Sequence, residues 1–170
     1  MIEFNLKNPL SLSTMASLLN IIFFLALSFW IGSITFMSFI VAPTLFRELP
    51  KEVAGEFVSK IFPSYYMLGY ICGSAAFLSL LFKGLLDKPF PWIRLLLIFI
   101  MLGCSLYAGT KVHPETHMVK TVMRSMEDSP EKDAKQKEFS QLHRLSVILN
   151  SIVLLAGIVV ICITGYKIDF

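Results

Sequence analysis

No charged side chain occurs between Lys7 and Arg47, and residues 15–42 are almost wholly apolar. As a helix rising 1.5 Å per residue, that stretch reaches about 42 Å, more than the roughly 30 Å hydrocarbon core of a bilayer. A helix that is apolar all round, with no polar stripe to face water, belongs in a membrane or at the centre of a much larger protein. Three more such runs follow. Residues 61–82 lie between Lys60 and Lys83, residues 91–110 carry Arg94 near their start, and residues 145–166 lie between Arg144 and Lys167. The expected fold is therefore all-α: an integral membrane four-helix bundle forming one domain over residues 1–170.

Composition agrees. Charged residues make up 16% of the chain, against about 25% in an average soluble domain, and they are crowded between the apolar runs. That excludes a disordered chain, a soluble enzyme of ordinary surface and a nucleic-acid binder with a basic face. The first run is about twice the length of a signal-peptide core and no small-residue cleavage site follows it, so it is expected to stay as a helix. Ten Lys and Arg fall in the loops after spans one and three, against five on the opposite side, counting Lys7, Lys83, Lys88, Arg94 and Lys167. The positive-inside rule then places both larger loops in the cytoplasm and both termini outside. The expected location is the cell membrane (the inner membrane if the source is bacterial), with the bilayer itself as first partner. Cys72, Cys104 and Cys162 all lie within spans, where thiols act as small apolar groups.

The connecting segments have helical patterning of their own. After Pro50, the residues Val53, Phe57, Val58 and Ile61 recur at helical spacing, which predicts a short amphipathic helix along the membrane surface. The long loop 111–144 is expected to hold two helical stretches. One carries Met118, Val119, Val122, Met123 and Met126 on a face; Ser129-Pro130 caps the next, which runs into span four. Glu131–Lys135 and Asp133–Lys137 are placed to pair along it. No internal repeat is visible.

Polar and small residues within the spans are the candidates for packing or function. Gly69 and Gly73 of span two, and Ser28 with Gly32 of span one, have the spacing of close helix contacts. His143, Asn150, Gly157 and Thr164 recur every seven residues in span four, with Ser146 one turn from His143, so the stripe is expected to face the bundle interior. Such a stripe either bonds neighbouring helices or lines a ligand site. His113 ends span three where His143 begins span four, a placement that could hold a b-type haem. His117, four residues from His113, is a candidate metal ligand despite the intervening Pro114. No acidic residue lies centrally in any span, and no phosphate-binding glycine loop or nucleic-acid groove is present. Ser146 beside His143 has no third orienting group, so a protease is not indicated.

Trp30-Ile-Gly32, Val41-Ala-Pro43-Thr-Leu-Phe46, Leu49 through Ala54-Gly55, Phe62-Pro63, Tyr65-Tyr66, Pro114 and the segment Phe139–Asn150 together resemble the transmembrane protein 205-like domain family, over about Leu18 to Thr164. The resemblance implies a four-span membrane domain of unknown biochemical function, with His143 and Asn150 as family features; His113 and His117 are not part of the pattern. Helix number and boundary histidines give a looser likeness to small haem-associated and copper-resistance membrane proteins. The expected role is a non-enzymatic accessory or scaffold subunit, alone, as a homo-oligomer or within a membrane complex, with no nucleic-acid partner. The alternatives are a haem- or metal-binding redox protein and a small-solute transporter or channel.

Overall fold

The computed structural model describes residues 9–86 and 89–166; Lys7, Lys88 and Lys167, counted above for orientation, lie outside the described residues. Helix α1 (Pro9–Phe36) passes through a π-helical turn (Met37–Val41) into α2 (Ala42–Glu48). Leu49 is extended, φ −121° and ψ 152°, as the residue before a proline prefers, and Pro50 turns the chain into α3 (Lys51–Leu86). Helix α4 (Trp92–Tyr107) likewise passes through a π turn (Ala108–Val112) into α5 (His113–Arg124), and α6 (Pro130–Tyr166) completes the chain. Among the described residues four such rods are long and apolar enough to cross a membrane: Leu12–Glu48, Lys51–Leu86, Trp92–Arg124 and Pro130–Tyr166. Short connections make consecutive rods antiparallel. The rods close into a ring in which α1 packs on α3, α3 on α4, α4 on α6 and α6 on α1.

Both π turns sit directly before an X-Pro step. Ala42 donates its N–H to the Met37 carbonyl and His113 to the Ala108 carbonyl, five residues back in each case. Pro43 and Pro114 follow at the start of the next α-helical segment. A proline inside a helix lacks the donor N–H, and its ring clashes with the carbonyl four residues back. Widening the turn ahead of it relieves the clash, so the rod continues past the proline. The chain thus has a repeat in layout that its sequence does not display. Twice, an apolar helix, a π turn, a proline and a short helix are followed by one long returning helix.

Two expectations are revised. The amphipathic segment after Pro50 is helical, yet it does not form a separate helix along a surface: it is the beginning of α3, continuous with span two through Pro63. Ala54 and Val58 are buried, whereas Val53, Phe57 and Ile61 are exposed. The apolar spacing was sound, but the helix continues without a break through residues 60–63. On α6, Ser129 accepts the Lys132 N–H as N-cap (3.3 Å), as expected. The ion pairs there are Lys132–Asp128 (2.6 Å) and Lys135–Glu138 (2.7 Å) rather than the predicted i,i+4 pairs. Both are largely solvated and contribute little.

The core is built around Trp30, which is 2% exposed. Its ring lies on the glycine face of α3. A Cβ at Gly73 would sit 2.7 and 2.8 Å from the indole and 2.5 Å from Leu102; one at Gly69 would sit 3.1 Å from the indole nitrogen. Ala76, Ile98, Met101, Val153 and Val160 fill the interior around it. Gly32 is a correction to the expected packing set: a Cβ there meets nothing within 4 Å, because Trp30 and Ile34 turn the opposite side of α1 inward. Large apolar side chains point outward along the apolar runs, among them Leu25, Phe29, Phe36, Leu96, Phe99 and Leu155. That much outward apolar surface is far beyond what a soluble monomer presents to water.

Gly73→Ala is therefore expected to cost about 1–3 kcal/mol through overpacking. Gly32→Ala is expected to be neutral, or stabilising by up to about 1 kcal/mol through helix propensity. Thermal unfolding of both variants in the same detergent checks the contrast.

Candidate functional site

Helix α3 presents an aromatic ladder, Phe62, Tyr66 and Tyr70, at four-residue spacing, with Tyr65 beside it. Phe62 and Tyr66 stack with centroids 5.7 Å apart, as do Tyr66 and Tyr70 at 6.5 Å, while Tyr65 meets Tyr66 edge-on at 5.1 Å. Tyr66 is buried at 4% exposure. The ladder can approach α4 because Gly109 lies opposite it. A Cβ at Gly109 would collide with the Tyr70 hydroxyl and come within 2.8 Å of the Tyr66 ring.

The hydroxyls tie three rods together. Tyr65 donates to Asn150 Oδ1 at 2.7 Å, and Asn150 Nδ2 donates to the Ser146 carbonyl at 3.0 Å on its own helix. That second bond orients the amide so that its oxygen faces Tyr65. Tyr66 and Ser146 share a hydroxyl contact at 3.3 Å, and Tyr70 donates to the Ser105 carbonyl of α4 at 3.5 Å. Further along α6, a Cβ at Gly157 would collide with Ile31, and Thr164, which is buried, returns its hydroxyl to the Val160 carbonyl at 2.7 Å. Ser146, Asn150, Gly157 and Thr164 thus all lie on the packed side of α6.

His143 leaves this stripe. It is exposed and stacks on Phe139 with centroids 6.3 Å apart, contrary to the interior position expected for it. At that level α6 has α5 as its neighbour. Leu142, Met118 and Val119 share one groove between the two helices, and one residue on from Leu142 is about 100° round the helix. His117 is also exposed. His113, by contrast, lies against α3, edge-on to Phe62 at 5.4 Å and Tyr66 at 6.0 Å.

A proline at position 63 deprives the Ser59 carbonyl of its helical donor, and the Ser59 backbone lies near the His113 ring. Nε2 of His113 is enclosed, with no hydrogen-bond partner among the described residues. Of the two candidate haem ligands, His113 packs against α3 and His143 is exposed on α6. Among the described residues no group of three or more His, Cys, Asp and Glu is placed to hold a metal ion.

Beyond the apolar runs, charges fasten α5 to the start of α3. The Lys120 ammonium lies over Gly55, 2.7 Å from where a Cβ would be. Arg124 donates to the Glu52 carbonyl at 3.1 Å and reaches Glu56 at 3.9 Å, and Lys60 pairs with Glu56 at 2.9 Å. The hydrogen bond and charge of Lys60 hold the Glu56 carboxyl below its ordinary value.

The residues that sequence reasoning did not single out are the tyrosine hydroxyls and Gly109.

Residues 25–125 match a family described as a domain of unknown function, DUF4149. The chain belongs to this family. An uncharacterized protein of Aquifex aeolicus (strain VF5) is 53% identical over 45 residues, 26% of this chain and 34% of the relative. The match therefore spans about a third of that relative's length. No solved structure matches.

Tyr65→Phe and Asn150→Ala are each expected to cost about 1–2 kcal/mol, the upper range for a hydrogen bond between membrane helices. The double variant should cost less than the sum, since either change alone removes the shared bond. His143→Ala should leave stability within about 0.5 kcal/mol of the parent. Unfolding in detergent, run as a double-mutant cycle, measures all of these.

Proposed function

We propose that this chain is a multi-pass protein of the cell membrane, the inner membrane if the source is bacterial, and that it acts as a non-enzymatic accessory or scaffold subunit. The observation that carries the reading is how the polar groups between α3 and α6 are used. Tyr65, Asn150, Ser146 and Tyr66 bond to one another, and Tyr70 bonds to the α4 backbone. A group that acts on a substrate or coordinates a cofactor keeps a donor, acceptor or ligand position open towards a cavity. These side chains instead hold helix to helix. The cavities of about 340 and 160 Å³ lie elsewhere, lined by Met126, Glu131 and Lys135 and by Met118, Val122 and Leu142.

The outward apolar side chains suit lipid contact, and the loop charges favour a cytoplasmic position for residues 43–60 and 111–144. The likeness to the transmembrane protein 205-like domain supports the same reading at a finer level, a four-span domain built around Trp30, Phe62-Pro63, Tyr65-Tyr66 and Asn150. A haem or metal site at His113, His117 and His143 has less support, because two of the three rings are exposed and the third packs edge-on against Phe62 and Tyr66.

The test uses protein purified gently from cells that supply haem. No Soret band, no stoichiometric iron or copper, and liposomes as impermeable with the protein as without it are the expected results. A Soret band lost in His113→Ala, or a solute flux that changes with Asn150→Ala, would overturn the proposal.

A further inference from the structure

Where the rods continue past their apolar runs, α5 and the start of α6 leave a groove between them. Its floor is apolar: Met118 and Val122 from α5, Leu142 from α6, and Met126 from the turn that joins the two helices. Met118 is 60% exposed and Val122 42% exposed, so the chain's own packing does not fill the floor. Two cavities, of about 340 and 160 Å³, make up the groove and meet at Lys135 and Glu138, which line both. On α6 it runs from Glu131 to Leu142, about 16 Å at helical rise, or about three helical turns.

The charge of this groove runs against that of the chain. The protein as a whole carries +3, yet three carboxylates, Glu115, Glu131 and Glu138, line the groove against the single ammonium of Lys135. Lys135 is taken up by Glu138 at 2.7 Å. Glu115 at one end and Glu131 at the other are exposed and have no ion-pair partner among the described residues. The sequence spacing produces the arrangement. Glu115, Met118 and Val122 step by three and four residues along α5, as Glu131, Lys135, Glu138 and Leu142 do along α6, so each set keeps to one helix face.

We infer that this groove docks a basic amphipathic helix of a partner protein, an inference that rests on the scaffold reading above and names the kind of partner. A helix laid into a groove is anchored by apolar side chains at i, i+3 or i+4, and i+7. Methionines on the floor adapt to the shape of such anchors. Lys or Arg at the two ends of the partner helix then meets Glu115 and Glu131, the carboxylates that the chain itself leaves unpaired. Other occupants oppose the charge. Anionic headgroups and nucleic acid are repelled by the same carboxylates. A second copy meeting this face about a two-fold axis sets Glu115 and Glu131 against the carboxylates of an identical groove.

The experiment places the whole protein, with isotope-labelled methionine methyls, in nanodiscs of zwitterionic lipid, and empty nanodiscs serve as the blank. The probe is a synthetic helical peptide of about 16 residues with Leu at i, i+3, i+4 and i+7 and Lys flanking them at both ends; its counterpart carries Glu at the flanks. The Lys-flanked peptide is expected to shift the methyl signals of Met118 and Met126 and to leave that of Met101, which is buried in the core, in place. The Glu-flanked peptide should bind at least about tenfold more weakly. Added salt should weaken the Lys-flanked complex, a reading that needs no variant. Glu115→Lys combined with Glu131→Lys, both at exposed positions, should reverse the preference between the peptides. No shift at Met118 and Met126, equal binding of the two peptides, or a preference unchanged in the double variant would each overturn the inference. So would Met118 and Met126 signals that depend on the number of copies per nanodisc, as a second copy in the groove requires. With no Soret band and impermeable liposomes, the scaffold reading survives a failed peptide test; a Soret band or an Asn150-dependent flux overturns both.

Discussion

A backbone carbonyl that loses its helical donor in apolar surroundings must find another donor, because no water is at hand to replace it. Three prolines in this chain, Pro43, Pro63 and Pro114, raise that demand within rods of 33 to 37 residues. Two are met locally, by a π turn just ahead of the proline. The third, Pro63, lies within α3 and leaves the Ser59 carbonyl near the His113 ring. Because three rods pass their prolines without breaking and α6 has none after its first residue, all four extend well past the thickness of a hydrocarbon core. The molecule accordingly continues as a helical assembly on the side of its two larger loops.

The His113 ring packs beside the aromatic ladder of α3. His113 approaches α3 one turn from Phe62 and Tyr66, and the approach needs a residue without a side chain at Gly109. Close packing on this face leaves the tyrosine hydroxyls within reach of Ser146, Asn150 and the Ser105 carbonyl. On a neighbouring part of α3 the same logic is apolar: Trp30 fits the surface left by Gly69 and Gly73. Hydrogen bonds between helices in lipid are individually modest, so it is their combination with glycine-enabled contact that fixes the ring order. A bundle whose polar atoms are occupied in this way is suited to hold a shape for a partner.

Much of the architecture was legible in the one-dimensional pattern. The apolar runs located the four rods, Ser129-Pro130 marked the start of α6, and the spacing of Ser146, Asn150, Gly157 and Thr164 reflects the period of the helix. Where the pattern misled, the cause was the identity of the neighbour. A seven-residue repeat predicts a common face only while the same neighbour continues, and at His143 the neighbour has become α5, met through Leu142. Gly32 has the spacing of a packing glycine, but spacing does not say which side of a helix meets its partner. The segment after Pro50 has the amphipathic pattern of a surface helix, yet its Ala54 and Val58 are used inside the bundle because the rod continues through Pro63.

By itself the sequence determined that this chain is helical, that it has four stretches suited to a bilayer, and where its charges gather. Those properties depend on local composition and on the period of the helix, which every short window of residues carries. Only the tertiary structure decided which polar atoms meet, that His113 packs against Phe62 and Tyr66, that Tyr65 and Asn150 are partners, and that His143 faces outward. Those outcomes depend on the rotation of each rod about its axis relative to its neighbours. That rotation is set by contacts such as Trp30 on Gly73, made between residues far apart in the chain.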